Sequence, residues 1–158
     1  MKVHKLIASG FGTGYSPVAP GTAGSALGIV LLYFFNSVLV SVNATESYIL
    51  VLNFSAILGI IFLGVFSIKK VHQVWKHDAQ TIVIDEIAGV WVAAFALPLQ
   101  KSDYLYAFVL FRFFDIYKPL FIRRIDRLNS DWSVMLDDLL AGVYAFIVLQ
   151  LLLYFNIL

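Results

Sequence analysis

Two adjacent carboxylates, Asp85 and Glu86, stand inside the apolar run "IVIDEIAG". A charged residue costs about 2.5 to 3.5 kcal/mol at the centre of a membrane helix and less near an interface, so this pair needs compensation. Two further clusters share its character. In "FRFFDIYKP", Asp115 and Lys118 lie three residues apart and share a helical face, and Pro119 ends or bends the helix just after. In "MLDDLLAG", Asp137 and Asp138 open the last apolar segment, where a helix dipole favours negative charge. Taken singly, each pair is also compatible with a structural role, as a cap or as an ion pair of Asp115 with Lys118 or Arg112. Taken together, five carboxylates from three segments would repel one another unless cations stood among them, and hard oxygen donors of this kind suit Mg²⁺. Lys118 and the nearby arginines offer a positive clamp for a phosphate. With a Gly-rich stretch at a helix start, "GYSPVAPGTAGSALG", the combination describes phosphoryl chemistry on a substrate at a membrane surface.

The elements that must position these groups are membrane helices. The chain has 158 residues, 61% hydrophobic and 13% charged, which places it in the membrane class as one small integral domain over residues 1–158. Segments 23–42, 48–68 and 139–158 meet the requirement of about 20 apolar residues for a span. Segments 82–99 and 104–121, joined by "QKSD", are apolar for part of their length and are expected to form a hairpin of two more. The expected fold is therefore an all-α, multi-pass bundle of about five membrane-embedded helices. With five spans, ten of the eleven Lys and Arg residues fall on one side and only Lys101 on the other, so that side is the cytoplasm and the acidic clusters face it. "MKVHKLIASGFG" has too short an apolar run for a signal peptide.

Several chemistries are excluded. There is no cysteine, so neither a disulfide framework nor a thiolate site exists. The histidines His4, His72 and His77 lie in no "PSGH"-like context; His72 and His77 are expected to be loop residues. No GxSxG elbow, no DxDx[TV] nucleophile and no "GK[ST]" phosphate loop is present, so ATP is not implied, nor is a nucleic-acid partner. The spaced acidic signature of alcohol phosphatidyl transfer is absent as well. A lipid-binding scaffold would not need buried acid pairs, and a transporter would carry its acids at mid-depth.

"GFGTGYSPVAPGTAGSALG", "TIVIDEIAGVW", "RFFDIYKPLFIRRIDRL" and "MLDDLLAGVYA", in this order, resemble the phosphatidylglycerophosphatase A family of bacterial inner-membrane enzymes. The resemblance covers residues 7–145. It implies a Mg²⁺-dependent phosphatase that releases the terminal phosphate of phosphatidylglycerophosphate, leaving phosphatidylglycerol, with its active site toward the cytoplasm. The family's acidic positions fall on Asp85, Glu86, Asp115, Asp137 and Asp138, its lysine on Lys118, and its Gly-Thr-Gly and Pro-Gly-Thr elements on residues 12–14 and 20–22. Asp78 is a weaker candidate. The resemblance does not require every helix to cross the bilayer, and it sets no oligomeric state.

On this reading the five acids hold one or two Mg²⁺ and Lys118 neutralises the phosphate. Thr13, Ser16, Gly21, Thr22 and Ser25 form a wall of the phosphate site, with hydroxyls that donate and glycine that permits close approach. Arg123, Arg124 and Arg127 hold the lipid's phosphodiester or neighbouring anionic headgroups, or serve as ordinary positive-inside anchors.

Overall fold

The termini of the long helices follow from local chemistry. In the computed structural model, which describes residues 1–75, 79–128 and 130–158, helix α1 (Lys2–Ala8) leads through a 3₁₀ turn (Gly10–Tyr15) to α2 (Pro20–Ser41). Pro20 suits a first helical position because it lacks the N–H that would go unpaired there; no side chain caps α2, and Ala19 before it takes a left-handed φ of 47°. Helix α3 (Glu46–Val71) is capped by Thr45, which accepts from the Tyr48 backbone N–H, and ends on Lys69 and Lys70, which complement its dipole. Helices α4 (Ile84–Ala93) and α5 (Lys101–Tyr117) form a hairpin, and α5 stops at the left-handed Lys118 (φ 44°), directly before Pro119. A short α6 (Ile122–Asp126) precedes α7 (Asp131–Tyr154), which opens with a reciprocal cap: Ser130 Oγ accepts from Ser133 N at 3.0 Å, and Ser133 Oγ from Ser130 N at 2.9 Å.

All described elements are helical or irregular, as expected, but three helices rather than five are long and apolar enough to cross a membrane: α2, α3 and α7. The segment 82–99 yields only the ten residues of α4, about 15 Å of helix at 1.5 Å per residue, against a hydrocarbon core of about 30 Å. The reason is packing. Eight of the ten α4 residues are buried within the bundle, and a helix enclosed by protein is apolar all round just as a lipid-facing one is. The segment 104–121 begins earlier than expected, at Lys101, and its first turn carries the buried Asp103.

Helix α4 packs most extensively on α7, and small residues let the two backbones approach. A Cβ on Gly89 would stand 2.7 Å from the backbone O of Asp138, and one on Gly142 would collide with the backbone O of Gly89. Asp85 lies one turn before Gly89 and Asp138 one turn before Gly142, so this close crossing sets the two acids side by side. At the opposite end, Asn36 Nδ2 donates to Tyr104 OH (2.8 Å) and Asn53 Nδ2 to Asn36 Oδ1 (2.9 Å), tying α2, α3 and α5 together in the buried interior.

Candidate active site

At the end of the bundle where α2, α4 and α7 begin and α5 finishes, a cavity of about 700 Å³ opens. Asp85, Glu86 and Asp138 bring carboxylate oxygens within 4.8 Å of one another, the arrangement of a cation site. The structure brings Asp115 and Asp137 to the same cavity but gives each a cation of its own. Arg112 Nη1 donates to Asp115 Oδ2 at 2.5 Å, and Lys118 Nζ donates to Asp137 Oδ2 at 2.6 Å and to Asp126 Oδ1 at 2.5 Å. Lys118 therefore pairs across to α7 and α6 rather than with Asp115, three residues away on its own helix. The left-handed turn at Lys118 and Pro119 carries its side chain out of the α5 register.

Burial decides the electrostatics. Asp85, Asp115, Asp137 and Asp138 are all buried, between 4% and 9% exposed. Burial raises the Asp85 carboxyl, and it raises Glu86 well above the ordinary carboxylate range, with the adjacent Asp85 charge adding to it. Burial alone would lower Lys118, but its hydrogen bonds to Asp126 and Asp137 outweigh that and hold its ammonium above the usual lysine value. Among the described residues lining the cavity, three buried polar atoms have no hydrogen-bond partner: Glu86 Oε2, Asp137 Oδ1 and Arg112 Nε. All three belong to residues that line the cavity. Unpaired buried polar atoms are costly, so capacity of this kind in one place points to something that completes it.

The N-terminus of α2 forms the facing wall through Pro20 and Gly21. A Cβ on Gly21 would collide with Glu86 Oε1 and stand 3.3 Å from Arg112 Nη1, so any larger residue there would displace the Glu86 carboxylate. The hydroxyls expected beside it are placed differently. Thr13 Oγ1 donates to Gly10 O (2.9 Å), Ser16 Oγ to Val18 O (2.9 Å) and Ser25 Oγ to Gly21 O (2.7 Å), so each is engaged by local backbone. Ser25 also accepts from Arg112 Nη1 at 3.4 Å. Neither Thr13, Ser16, Thr22 nor Ser25 lines the cavity. Of the three arginines, Arg127 lines it, Arg123 donates to Tyr117 O and Arg124 lies over the Phe121 ring. His77 and Asp78 lie outside the described residues. His72 bonds Asp131 Oδ1 at 2.5 Å, at the start of α7.

Two cavity residues escape a sequence reading. Arg112 signals only a local pair with Asp115, and Asp126 is one acid among arginines; only the tertiary structure joins Asp126 to Lys118. A third feature did leave a trace. "DEIAG" and "DLLAG" repeat an acid four residues before a glycine, which is the pattern of the α4–α7 crossing.

This chain matches the family model described as phosphatidylglycerophosphatase A over residues 6–153. The chain belongs to the phosphatidylglycerophosphatase A family. It is 38% identical over 145 residues to the phosphatidylglycerophosphatase A of Haemophilus influenzae, covering 90% of this chain and 84% of that one. To the Escherichia coli phosphatidylglycerophosphatase A it is 36% identical over 144 residues, covering 87% and 76%. A Bacteroides thetaiotaomicron protein named "Putative phosphatidylinositol-3-phosphatase" is 38% identical over 150 residues, covering 91% and 89%. No solved structure matches the chain. As a phosphatidylglycerophosphatase A family member the protein is a phosphatase, a phosphoric monoester hydrolase, and the four motifs that carry the family resemblance surround the cavity described above.

Proposed function

We propose that the protein hydrolyses the terminal phosphate monoester of phosphatidylglycerophosphate in phospholipid biosynthesis, with Mg²⁺ as cofactor, at the cytoplasmic face of a bacterial inner membrane. The observation that carries this reading is the convergence of Asp85, Glu86 and Asp138 beside Lys118 in one cavity at the end of apolar helices. An all-oxygen donor set with an unpartnered, buried Glu86 Oε2 fits a hard cation, and these three residues would hold it. Bound there, Mg²⁺ supplies Lewis-acid polarisation of the phosphate and a more acidic water. Asp115 and Asp137 complete the acidic wall and hold Arg112 and Lys118 in place.

The remaining chemistry belongs to the chain's own groups. Lys118 is kept protonated by its two carboxylates and neutralises phosphate charge as the ester breaks. Asp137 Oδ1, which has no hydrogen-bond partner among the described residues, accepts a proton from the attacking water as its oxygen bonds phosphorus. The P–O bond to glycerol breaks, and Asp137 returns that proton to the leaving alkoxide. Lys2 and Lys5 of α1, Lys69 and Lys70 in the last turn of α3, Arg123 and Arg124 of α6 and Arg127 just after it lie toward the cavity side, whereas Lys101 starts α5 at the other end, which supports the cytoplasmic orientation. Arg123 and Arg124 meet anionic lipid headgroups there.

The name of the Bacteroides relative favours a second substrate, a phosphoinositide monoester, for which the same cation and clamp would serve. Purified protein in mixed micelles, given phosphatidylglycerophosphate or phosphatidylinositol 3-phosphate with Mg²⁺ or EDTA, tests both. Mg²⁺-dependent phosphate release from phosphatidylglycerophosphate is expected. Undiminished turnover in EDTA would remove the metal, and release from the inositide alone would replace the substrate.

A further inference from the structure

Between α2 and α5 runs a second hollow, of about 520 Å³, walled by Ala26, Val30 and Phe34 on one side and Leu105 and Phe108 on the other, and closed by Tyr104 and Lys101. We infer that this groove holds an acyl chain of the substrate lipid and so aligns its headgroup with the catalytic cavity; the inference rests on the lipid phosphatase reading above.

Continuity with the cavity supports that occupant. Two helices take part in both spaces: Pro20 and Gly21 of α2 and Arg112 and Asp115 of α5 line the cavity with residues of α4, α6 and α7, and the groove begins about one turn further along α2 and α5, at Ala26 and Phe108. The seam is polar. Ser25, next to Ala26, is fully buried and accepts from Arg112 Nη1 at 3.4 Å, while Arg112 Nε has no partner among the described residues. A lipid whose monoester reaches Lys118 has its phosphodiester, its second anionic group, near this arginine, with its tail beyond.

Dimensions and access agree. Ala26 to Phe34 is eight steps along the helix, about 12 Å at 1.5 Å per residue, close to one leaflet's share of a hydrocarbon core of about 30 Å. Val30 (62%), Phe34 (67%) and Leu105 (58%) are exposed, so the groove is open sideways and a lipid can enter from the bilayer without leaving it. A chain moved from bilayer to groove exchanges one apolar surrounding for another, so the gain is alignment rather than hydrophobic burial.

Ala26→Phe fills the cavity end of the groove, and Leu105→Trp fills its middle. The assay compares long-chain dipalmitoyl with short-chain dihexanoyl phosphatidylglycerophosphate in the same detergent. Expected is a loss of roughly ten- to a hundredfold in kcat/KM for the long-chain lipid only, since misplacement by a change far from the reacting centre costs up to the order of 10²-fold. Equal losses on both lipids, no loss on either, or a changed oligomeric state would overturn the groove. In unmodified protein, a long-chain substrate carrying a diazirine in its acyl chain should label peptides containing 26–34 and 104–108; labelling confined to α3 or α7 would also overturn it. If wild-type protein releases no phosphate from either lipid, the functional reading itself fails, a result separable from both.

Discussion

Replacing Gly89 with alanine should disable the site without touching any charged group. The added Cβ would lie 2.7 Å from the backbone O of Asp138, and the closest ordinary contact is 3.4 Å, so α7 must move by at least 0.7 Å (3.4 − 2.7) at the residue that supplies a carboxylate. Phe111 Cε2, at 2.5 Å, blocks retreat on another side. Displacements of about 1 Å cost on the order of 10²-fold in rate where reacting groups must be aligned. Overpacking of a tight core costs about 1–3 kcal/mol. The expected outcome is therefore a loss of about 10²-fold in kcat/KM, a higher Mg²⁺ concentration for half-maximal rate and a lowered but cooperative melting transition. Gly59→Ala is the control, because its Cβ would meet nothing within 4 Å and alanine favours the helix. Phosphate release in mixed micelles across a Mg²⁺ titration, with a thermal melt of each variant, reads all of this. Wild-type kinetics and Mg²⁺ dependence in Gly89→Ala would refute the claim that the α4–α7 crossing holds the carboxylates in register.

Three further outcomes are expected. Asp85→Asn and Asp138→Asn should each abolish Mg²⁺-dependent phosphate release while membrane insertion, read by fractionation, is unchanged; full activity in either removes that residue from the cation site. Lys118→Met should lose activity and also stability, since it strands Asp126 and the buried Asp137 without their cation; breaking such a pair costs about 3–5 kcal/mol when fully buried and less here, where Asp126 is partly exposed. The raised Lys118 value carries a definite sign: the ammonium's own contribution is complete below the ordinary lysine value and is lost only as pH rises through the raised one, so deprotonation of Lys118 should lower the melting temperature only in the alkaline range above the ordinary lysine value. Thr22→Val should leave kinetics unchanged because Thr22 does not line the cavity, whereas Gly21→Ala, whose Cβ would collide with the Glu86 carboxylate, should reduce turnover; the opposite pattern would restore a phosphate role to the threonine.

The acids were legible in the sequence because a carboxylate in an apolar run is conspicuous, and Asp85, Glu86, Asp115, Asp137 and Asp138 do converge on one cavity. Their division of labour was not. Which acid meets another acid and which meets a cation depends on helix crossings, so Asp126 and Arg112 entered only with the tertiary structure. The hydroxyls of "GTGYSPVAPGTAGS" are the converse case. Serine and threonine near glycine and proline bond their own backbone, and Thr13, Ser16 and Ser25 do so here. Hydropathy alone could not separate α4 from a span, since burial in protein and burial in lipid select the same residues.

That ambiguity carries the explanation of how the acids can exist where they do. A carboxylate on a lipid-facing helix is costly near the hydrocarbon, but α4 faces protein on nearly every side, and Asp85 and Glu86 line the cavity at its start. Around that short helix, α7 contributes Asp138 through the glycine crossing, and α2 contributes a glycine close enough to press on Glu86. A full-length span at the α4 position would give none of this, because its flanks would meet lipid instead of α7 and α2. The short, enclosed helix is thus the feature that lets several carboxylates gather beneath the surface, open to the cavity on one side and enclosed by α7 and α2 on the others.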